Sequence, residues 1–290
     1  MRKSIEIAPG VHVGGDQFSV MAGPCAVESR ELLFAAADAV ASHGAAMLRG
    51  GAYKPRTKPD SFQGLGVEGL RLLAEASART GLPVVTEVLD PRDVGVVAEH
   101  AAVLQVGSRN MQNYPLLREV GQTDRPVLLK RGAAATLDEM LHAAEYVLQG
   151  GNERVMFCER GVRGFDPSTR YLLDLAAVPV LRERTDFPIV VDPSHGTGHA
   201  RLVAPMAKAA LAAGADALLI EVHADPEQAL SDGQQALTPA IFGKLMAELR
   251  QLAPLLGKSW ASSPGAQESA PLHAGEKGSP KPHDDKVIAP

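Results

Sequence analysis

The sequence predicts an α/β chain folded as one (β/α)8 TIM barrel, and three observations carry that prediction. Short apolar runs alternate with longer amphipathic segments along residues 1–257, the pattern of βα units on a parallel sheet. The runs number eight, and stretches such as VVTEV, VLLK, PIVVD and ALLIEV are nearly continuous in apolar residues, as strands buried on both faces must be. Residues 1–257 also match the roughly 250 that one eight-fold barrel uses, an awkward length for two domains.

The elements follow in order. IEIAPGVHVGG reads as a small hairpin turning at Pro-Gly and placed to plug the bottom of the barrel. Strands are expected at 19–23, 46–49, 83–87, 103–106, 127–130, 154–158, 188–191 and 217–221. A helix spans 28–44, with apolar residues at three- and four-residue spacing and a terminal Gly. GLRLLAEASARTG, ATLDEMLHAAEYVLQGG, ARLVAPMAKAALAAG and TPAIFGKLMAELRQLA read the same way. From Lys258 onward the chain turns to Pro, Ser, Gly and Ala, with four lysines against four acids. Such a stretch cannot offset an ordering entropy of roughly 1–2 kcal/mol per residue, so 258–290 is expected to be a disordered, low-complexity tail.

Composition narrows function. Hydrophobic residues at 45% and charged residues at 22% exclude a wholly disordered chain, a collagen and a disulfide scaffold. A net charge of −5 excludes a global basic field for nucleic acid, so any basic site is local. Two cysteines, Cys25 and Cys158, are too few for a disulfide framework and point to a reducing compartment. No run approaches the about 20 apolar residues of a membrane span, and the start is too broken for a signal peptide, so the expected location is the cytoplasm.

In a closed parallel barrel the carboxyl ends of all strands meet on one face. Cys25 follows the first strand in AGPCAVES, His195 the seventh in VVDPSHGTGH, Glu221 ends the eighth in LLIEVH, and Asp232 lies in ALSDGQQ. Singly, each has an ordinary use as a buried thiol, a hydrogen-bonded core imidazole or a cap. Strands seven, eight and one are neighbours after closure, so together these side chains offer a mixed S/N/O set around one divalent cation. Mn, Fe, Zn or Co suits such a set better than Mg or Ca, and the residues do not choose among them.

A cationic group gathers at the same strand ends. Arg49 and Lys54 follow the second strand in LRGGAYKPRTKP, with Arg56 and Thr57 further along. Ser108 and Arg109 follow the fourth, Lys130 ends the fifth and Arg160 follows the sixth. Arg offers a planar fork and Lys a point charge, a mixture suited to two phosphates and a carboxylate. Glu87, ending VVTEV, is the acid placed to pair with these cations or to hold a water. GLGVEGL lacks the GxxxxGK[ST] pattern, which argues against a nucleotide loop. Cys158, two residues before Arg160, reads as a barrel-interior thiol in preference to a redox partner for Cys25.

AGPCAVES, LRGGAYKPRTKP, VGSRNMQNYPLL, LLKRG, DPSHGTGH and IEVHADPEQALSDGQQ, in this order, resemble the metal-dependent 3-deoxy-7-phosphoheptulonate synthases, over about residues 14–256. The resemblance implies a barrel that joins phosphoenolpyruvate to erythrose 4-phosphate. It assigns Cys25, His195, Glu221 and Asp232 as metal ligands and Arg49, Lys54, Ser108, Arg109, Lys130 and Arg160 to phosphoenolpyruvate. Arg56 and Thr57 match residues that hold the aldose phosphate, and Lys54, Glu87, Lys130 and His195 are the expected catalytic group. Similar enzymes are commonly dimers or tetramers. A regulatory or chorismate mutase domain is not recognisable in the sequence, so insensitivity to aromatic amino acids is expected, with control through a partner enzyme.

Two other readings stand beside it. 3-Deoxy-manno-octulosonate 8-phosphate synthase shares fold, phosphoenolpyruvate and in some members the metal, but its second-strand loop reads like KANRSS where this chain has Lys54-Pro55-Arg56-Thr57. A non-catalytic phosphosugar-binding barrel would keep the cations without needing the four candidate metal ligands.

Overall fold

A computed structural model describes residues 2–56 and 58–261. The chain enters through a hairpin, β1 (Ser4–Ala8) and β2 (Val11–Gly14), turned at Pro9-Gly10, where Gly10 takes φ 77°. β3 (Gln17–Gly23) leads to α1 (Arg30–Ser42), whose first turn is capped by the Ser29 hydroxyl accepting from the Leu32 amide. The alternation continues with β4 (Met47–Arg49), α2 (Val67–Thr80), β5 (Val84–Val88), α3 (Val94–His100), β6 (Val103–Val106), α4 (Tyr114–Gly121), β7 (Val127–Lys130) and α5 (Leu137–Gln149). β8 (Val155–Glu159), α6 (Ala177–Arg184), β9 (Ile189–Val191), α7 (Pro193–Thr197), α8 (Ala200–Ala212), β10 (Ala217–Glu221), α9 (Pro239–Leu255) and β11 (Ser259–Trp260) complete it.

β3 pairs in parallel with both β10 and β4, which closes eight parallel strands into the expected barrel. Each expected strand overlaps an observed one. One sequence-based boundary is corrected. Residues 258–261, assigned to the tail, belong to the packed chain: Lys258 is 9% exposed and donates to Asp216 Oδ1 at 2.6 Å, and Ser259–Trp260 adds a parallel strand to the start of β3. The rest of the tail, 262–290, lies outside the described residues. No helix among the described residues is long and apolar enough to cross a membrane.

The barrel interior is graded along its axis. Ile5, Ile7, Val11 and Val13 of the hairpin close the bottom against the inward side chains of the strands, as the Pro-Gly hairpin predicts. Above them Met47, Val85, Val103, Leu128, Val190 and Leu219 form apolar packing. Two residues further on each of these strands, the same inward face carries Arg49, Glu87, Gln105, Lys130, Asp192 and Glu221, none more than 8% exposed. The outward faces pack on the helices in a second core. Apolar packing therefore supports a polar layer contributed by six of the eight barrel strands at their carboxyl ends, which is where a barrel builds its site.

Candidate active site

Four donor atoms, one each from Cys25, His195, Glu221 and Asp232, lie within 4.8 Å of one another. His195 Nε2 stands 3.2 Å from Glu221 Oε1 and 4.0 Å from Asp232 Oδ2, and Cys25 Sγ stands 3.4 Å from the same Asp232 oxygen. The outer carboxylate oxygens are held elsewhere. Gln235 Nε2 donates to Glu221 Oε2 at 2.7 Å, and Arg170 donates to Asp232 Oδ1 at 3.2 Å and to Gln235 Oε1 at 2.8 Å. Each acid thus turns its other oxygen toward the imidazole, Glu221 Oε1 also accepting from Arg49 and Asp232 Oδ2 also facing the thiol. Asp232 does so from a left-handed backbone, φ 55°, the one such conformation at a non-glycine residue among the described residues. A short polar side chain tolerates it.

Asp192, at the end of β9, orients the imidazole. Its Oδ1 accepts from the His195 amide at 2.9 Å, capping α7, while its Oδ2 accepts from His195 Nδ1 at 2.7 Å and from Lys130 Nζ at 2.5 Å. With the ring proton on Nδ1, the lone pair of Nε2 faces Glu221 Oε1, acceptor against acceptor, an arrangement that a cation between them resolves. Charge states agree. Burial lowers the His195 pKa despite Asp192 and Glu221, which keeps the ring neutral. Burial also works to raise both ligand acids, but the permanent charge of Arg49 holds Glu221 below its ordinary value, and that of Arg170 holds Asp232 at about 2. The Cys25 thiol is pushed up to about 12 by burial and by Glu221, against the pull of Lys54 Nζ at 3.0 Å from Sγ. A neutral imidazole, two ionised carboxylates and a thiol that needs a cation to ionise are a donor set suited to a divalent metal.

Beside the cluster opens a cavity of about 470 Å³, lined among the described residues by nine Arg and Lys side chains against Glu87 and Asp232. Lys54, Lys130 and Arg160 are nearly buried there, Arg56 is half-buried and Arg109 is exposed at the rim. Arg160 stacks over Tyr171 at 4.1 Å and leaves Nε and Nη1 buried without a hydrogen-bond acceptor, which an anionic ligand would supply. Ser108 also lines the wall. Thr57 lies outside the described residues.

The acids paired with these cations are not the one the sequence points to first. Arg49 donates to Glu221 Oε1 at 3.2 Å and Lys130 to Asp192, whereas Glu87 accepts Gln105 Nε2 at 3.3 Å. A Cβ at position 107 would lie 1.9 Å from Glu87 Oε1, so Gly107 at the end of β6 makes room for that carboxylate. Cys158 is free, fully buried among the interior apolar side chains, and its thiol is pushed up by burial. Sequence reasoning missed Asp192, Arg170, Ser231 and Gln235, although the first stands three residues before His195 as a Ser/Thr/Asp/Asn-type helix cap.

Comparisons with known proteins give the family. A family model described as the DAHP synthetase I family matches residues 3–256. The phospho-2-dehydro-3-deoxyheptonate aldolase of Thermotoga maritima is 49% identical over 247 residues, covering 85% of this chain and 73% of that protein. Its crystal structure superposes with a TM-score of 0.87 at 47% identity over 89% of this chain and 76% of that one. A 2-dehydro-3-deoxyphosphooctonate aldolase of Desulfatibacillum aliphaticivorans is 32% identical, covering 86% of this chain and 97% of its own length.

Proposed function

The chain belongs to the DAHP synthetase I family, and from that premise we infer that it joins phosphoenolpyruvate to D-erythrose 4-phosphate and water, forming 3-deoxy-7-phosphoheptulonate and releasing phosphate. This carbon–carbon bond-forming step opens the shikimate route to chorismate and the aromatic amino acids. One observation carries the reading: a Cys/His/Glu/Asp cluster opens into a cavity lined by nine cationic side chains. The two substrates bring about five negative charges between them, which a net acidic protein accommodates only at such a site.

Cys25, His195, Glu221 and Asp232 are the residues that would hold the divalent metal, and their mixed donors favour Mn, Fe, Zn or Co over Mg or Ca. When bound, the ion supplies Lewis acidity toward the aldehyde. The protein's own groups then divide the work. Arg49, Lys54, Arg109, Lys130 and Arg160, with Ser108, grip phosphoenolpyruvate, and Arg56 with Thr57 holds the aldose phosphate. Bringing two anions together against their repulsion is a positioning task in which effective molarity is worth about 7–11 kcal/mol. Carbon 3 of phosphoenolpyruvate attacks the aldehyde carbon; water, held by Glu87 and Lys130, adds to carbon 2; phosphate leaves with cleavage of its bond to that carbon. His195 is kept neutral by burial and oriented by Asp192. Assembly as a dimer or tetramer rests on the resemblance alone, and control through a partner enzyme on the expectation drawn from the sequence.

The test is phosphate release from phosphoenolpyruvate with erythrose 4-phosphate or arabinose 5-phosphate, with and without a chelator. Turnover with the four-carbon aldose, lost on chelation, is expected. Preference for the five-carbon aldose would move the chain to the octulosonate reaction, and no turnover with either would leave a binding barrel.

A further inference from the structure

The loop that returns from β10 to Asp232 is tied, at both of its ends, to a carboxylate that the mechanism does not use. Glu28 lies three residues after Cys25, and its side chain is 4% exposed. Its Oε1 accepts from the Leu230 amide at 2.9 Å, two residues before Asp232. Its Oε2 is buried without a hydrogen-bond partner and faces His223 Nε2, two residues after Glu221, at 3.6 Å. His223 is fixed in turn: its Nδ1 accepts from the Asp225 amide at 3.0 Å, which leaves the ring proton on Nε2, toward Glu28. Its own amide donates to Leu237 O at 3.0 Å.

Between these ties the loop folds tightly on itself. A Cβ at Gly233 would lie 2.1 Å from Pro226 O. Ser231 is delivered to Cys25 Sγ at 3.4 Å and receives a hydrogen bond from Arg56 at 2.5 Å. One carboxylate, three residues after Cys25, therefore ties the Cys25 segment to the backbone two residues before Asp232. Resting on the four-ligand reading above, we infer that Glu28 and His223 form a positioning pair that sets the affinity of the metal centre through the Asp232 loop, without touching metal or substrate.

The experiment titrates cobalt(II) into chelator-treated full-length protein, reading visible d–d absorption and the thiolate-to-cobalt charge-transfer band, alongside thermal unfolding of the metal-free form. Glu28→Ala should weaken cobalt binding by about 10–100-fold, the range for residues behind a metal's ligands, while keeping the charge-transfer band because Cys25 still binds. Glu28→Gln, which retains an acceptor for the Leu230 amide, should recover part of that loss. His223→Gln should weaken binding in the same sense, and phosphate release by all three variants should recover at saturating metal. Wild-type cobalt affinity in Glu28→Gln and His223→Gln together would overturn the pairing, as would a loss confined to metal-free stability. Absence of the charge-transfer band in wild-type protein would instead overturn the four-ligand reading itself.

Discussion

Replacing Asp192 with Asn isolates one buried carboxylate on which three donors converge. In the native chain its two oxygens accept from Lys130 Nζ at 2.5 Å, His195 Nδ1 at 2.7 Å and the His195 amide at 2.9 Å. Asn keeps the size but offers one acceptor oxygen. If that oxygen caps the amide, the new NH2 group confronts two donors; if it turns inward, the cap of α7 is lost. Either way Lys130, 4% exposed, keeps its place with no countercharge. Removing one member of a buried ion pair costs about 3–5 kcal/mol, more than the loss of a single charged hydrogen bond at about 1.5–3 kcal/mol. The expected result in urea unfolding of metal-free protein at pH 7 is a loss near the lower end of that range. Cobalt affinity should also fall by about 10–100-fold, because the imidazole is no longer held with Nε2 free. The pH dependence has a definite sign. Burial acts to raise Asp192, yet His195 and Lys130 hold it well below its ordinary value. Its contribution is then complete above an unfolded-state pKa of about 3.9 and is lost as the pH falls through the lower native-state value, so the gap between native and variant narrows on acidification. A stability change inside the roughly ±0.5 kcal/mol of an ordinary surface substitution, together with unchanged cobalt affinity, would refute the reasoning.

Cys25→Ala should abolish the thiolate-to-cobalt band and nearly all turnover, and full activity after chelation verified by metal analysis would sink the four-ligand centre. Arg160→Ala, removing a buried guanidinium with two unpaired nitrogens, should raise the Michaelis constant for phosphoenolpyruvate by about 10–100-fold, the equivalent of one charged hydrogen bond. Arg56→Ala should act chiefly on the aldose phosphate, and an effect on phosphoenolpyruvate alone would reverse the division of the clamp. Chains ending at residue 257 and at residue 261 should differ in melting temperature, the shorter being less stable because Asp216, 1% exposed, loses Lys258. Equal melting temperatures would show that the last described strand adds nothing.

What the sequence reveals here depends on how local the signal is. Parallel strands covered on both faces are written as apolar runs, so all eight barrel strands are legible. α3, α4 and α6 were less so, being seven or eight residues long, too short for periodicity to separate from a loop. β11 hides in a polar stretch, since two residues carry no pattern and their strand exists only because β3 offers an edge. Site residues at strand ends announce themselves because the barrel sends them to one face. Gln235 and Arg170 do not, because each acts by touching a carboxylate from a distant loop, and nothing beside either residue in the chain encodes that contact. Asp192 is the instructive middle case, visible as a helix cap while its grip on Lys130 spans 62 positions.

The hairpin beneath the barrel makes the interior a vessel with a single door. Among the described residues the floor of Ile5, Ile7, Val11 and Val13 is packed and apolar, and the opening to the site is the rim. Lys54, Lys130 and Arg160 lie deep and Arg56 nearer the mouth. From that gradient of depth, an anion seated on the deep cations is expected to bind before one held by Arg56. Steady-state patterns with a dead-end analogue of each substrate would read that order directly, and the sequence of filling would then be a property of the floor as much as of the residues that grip.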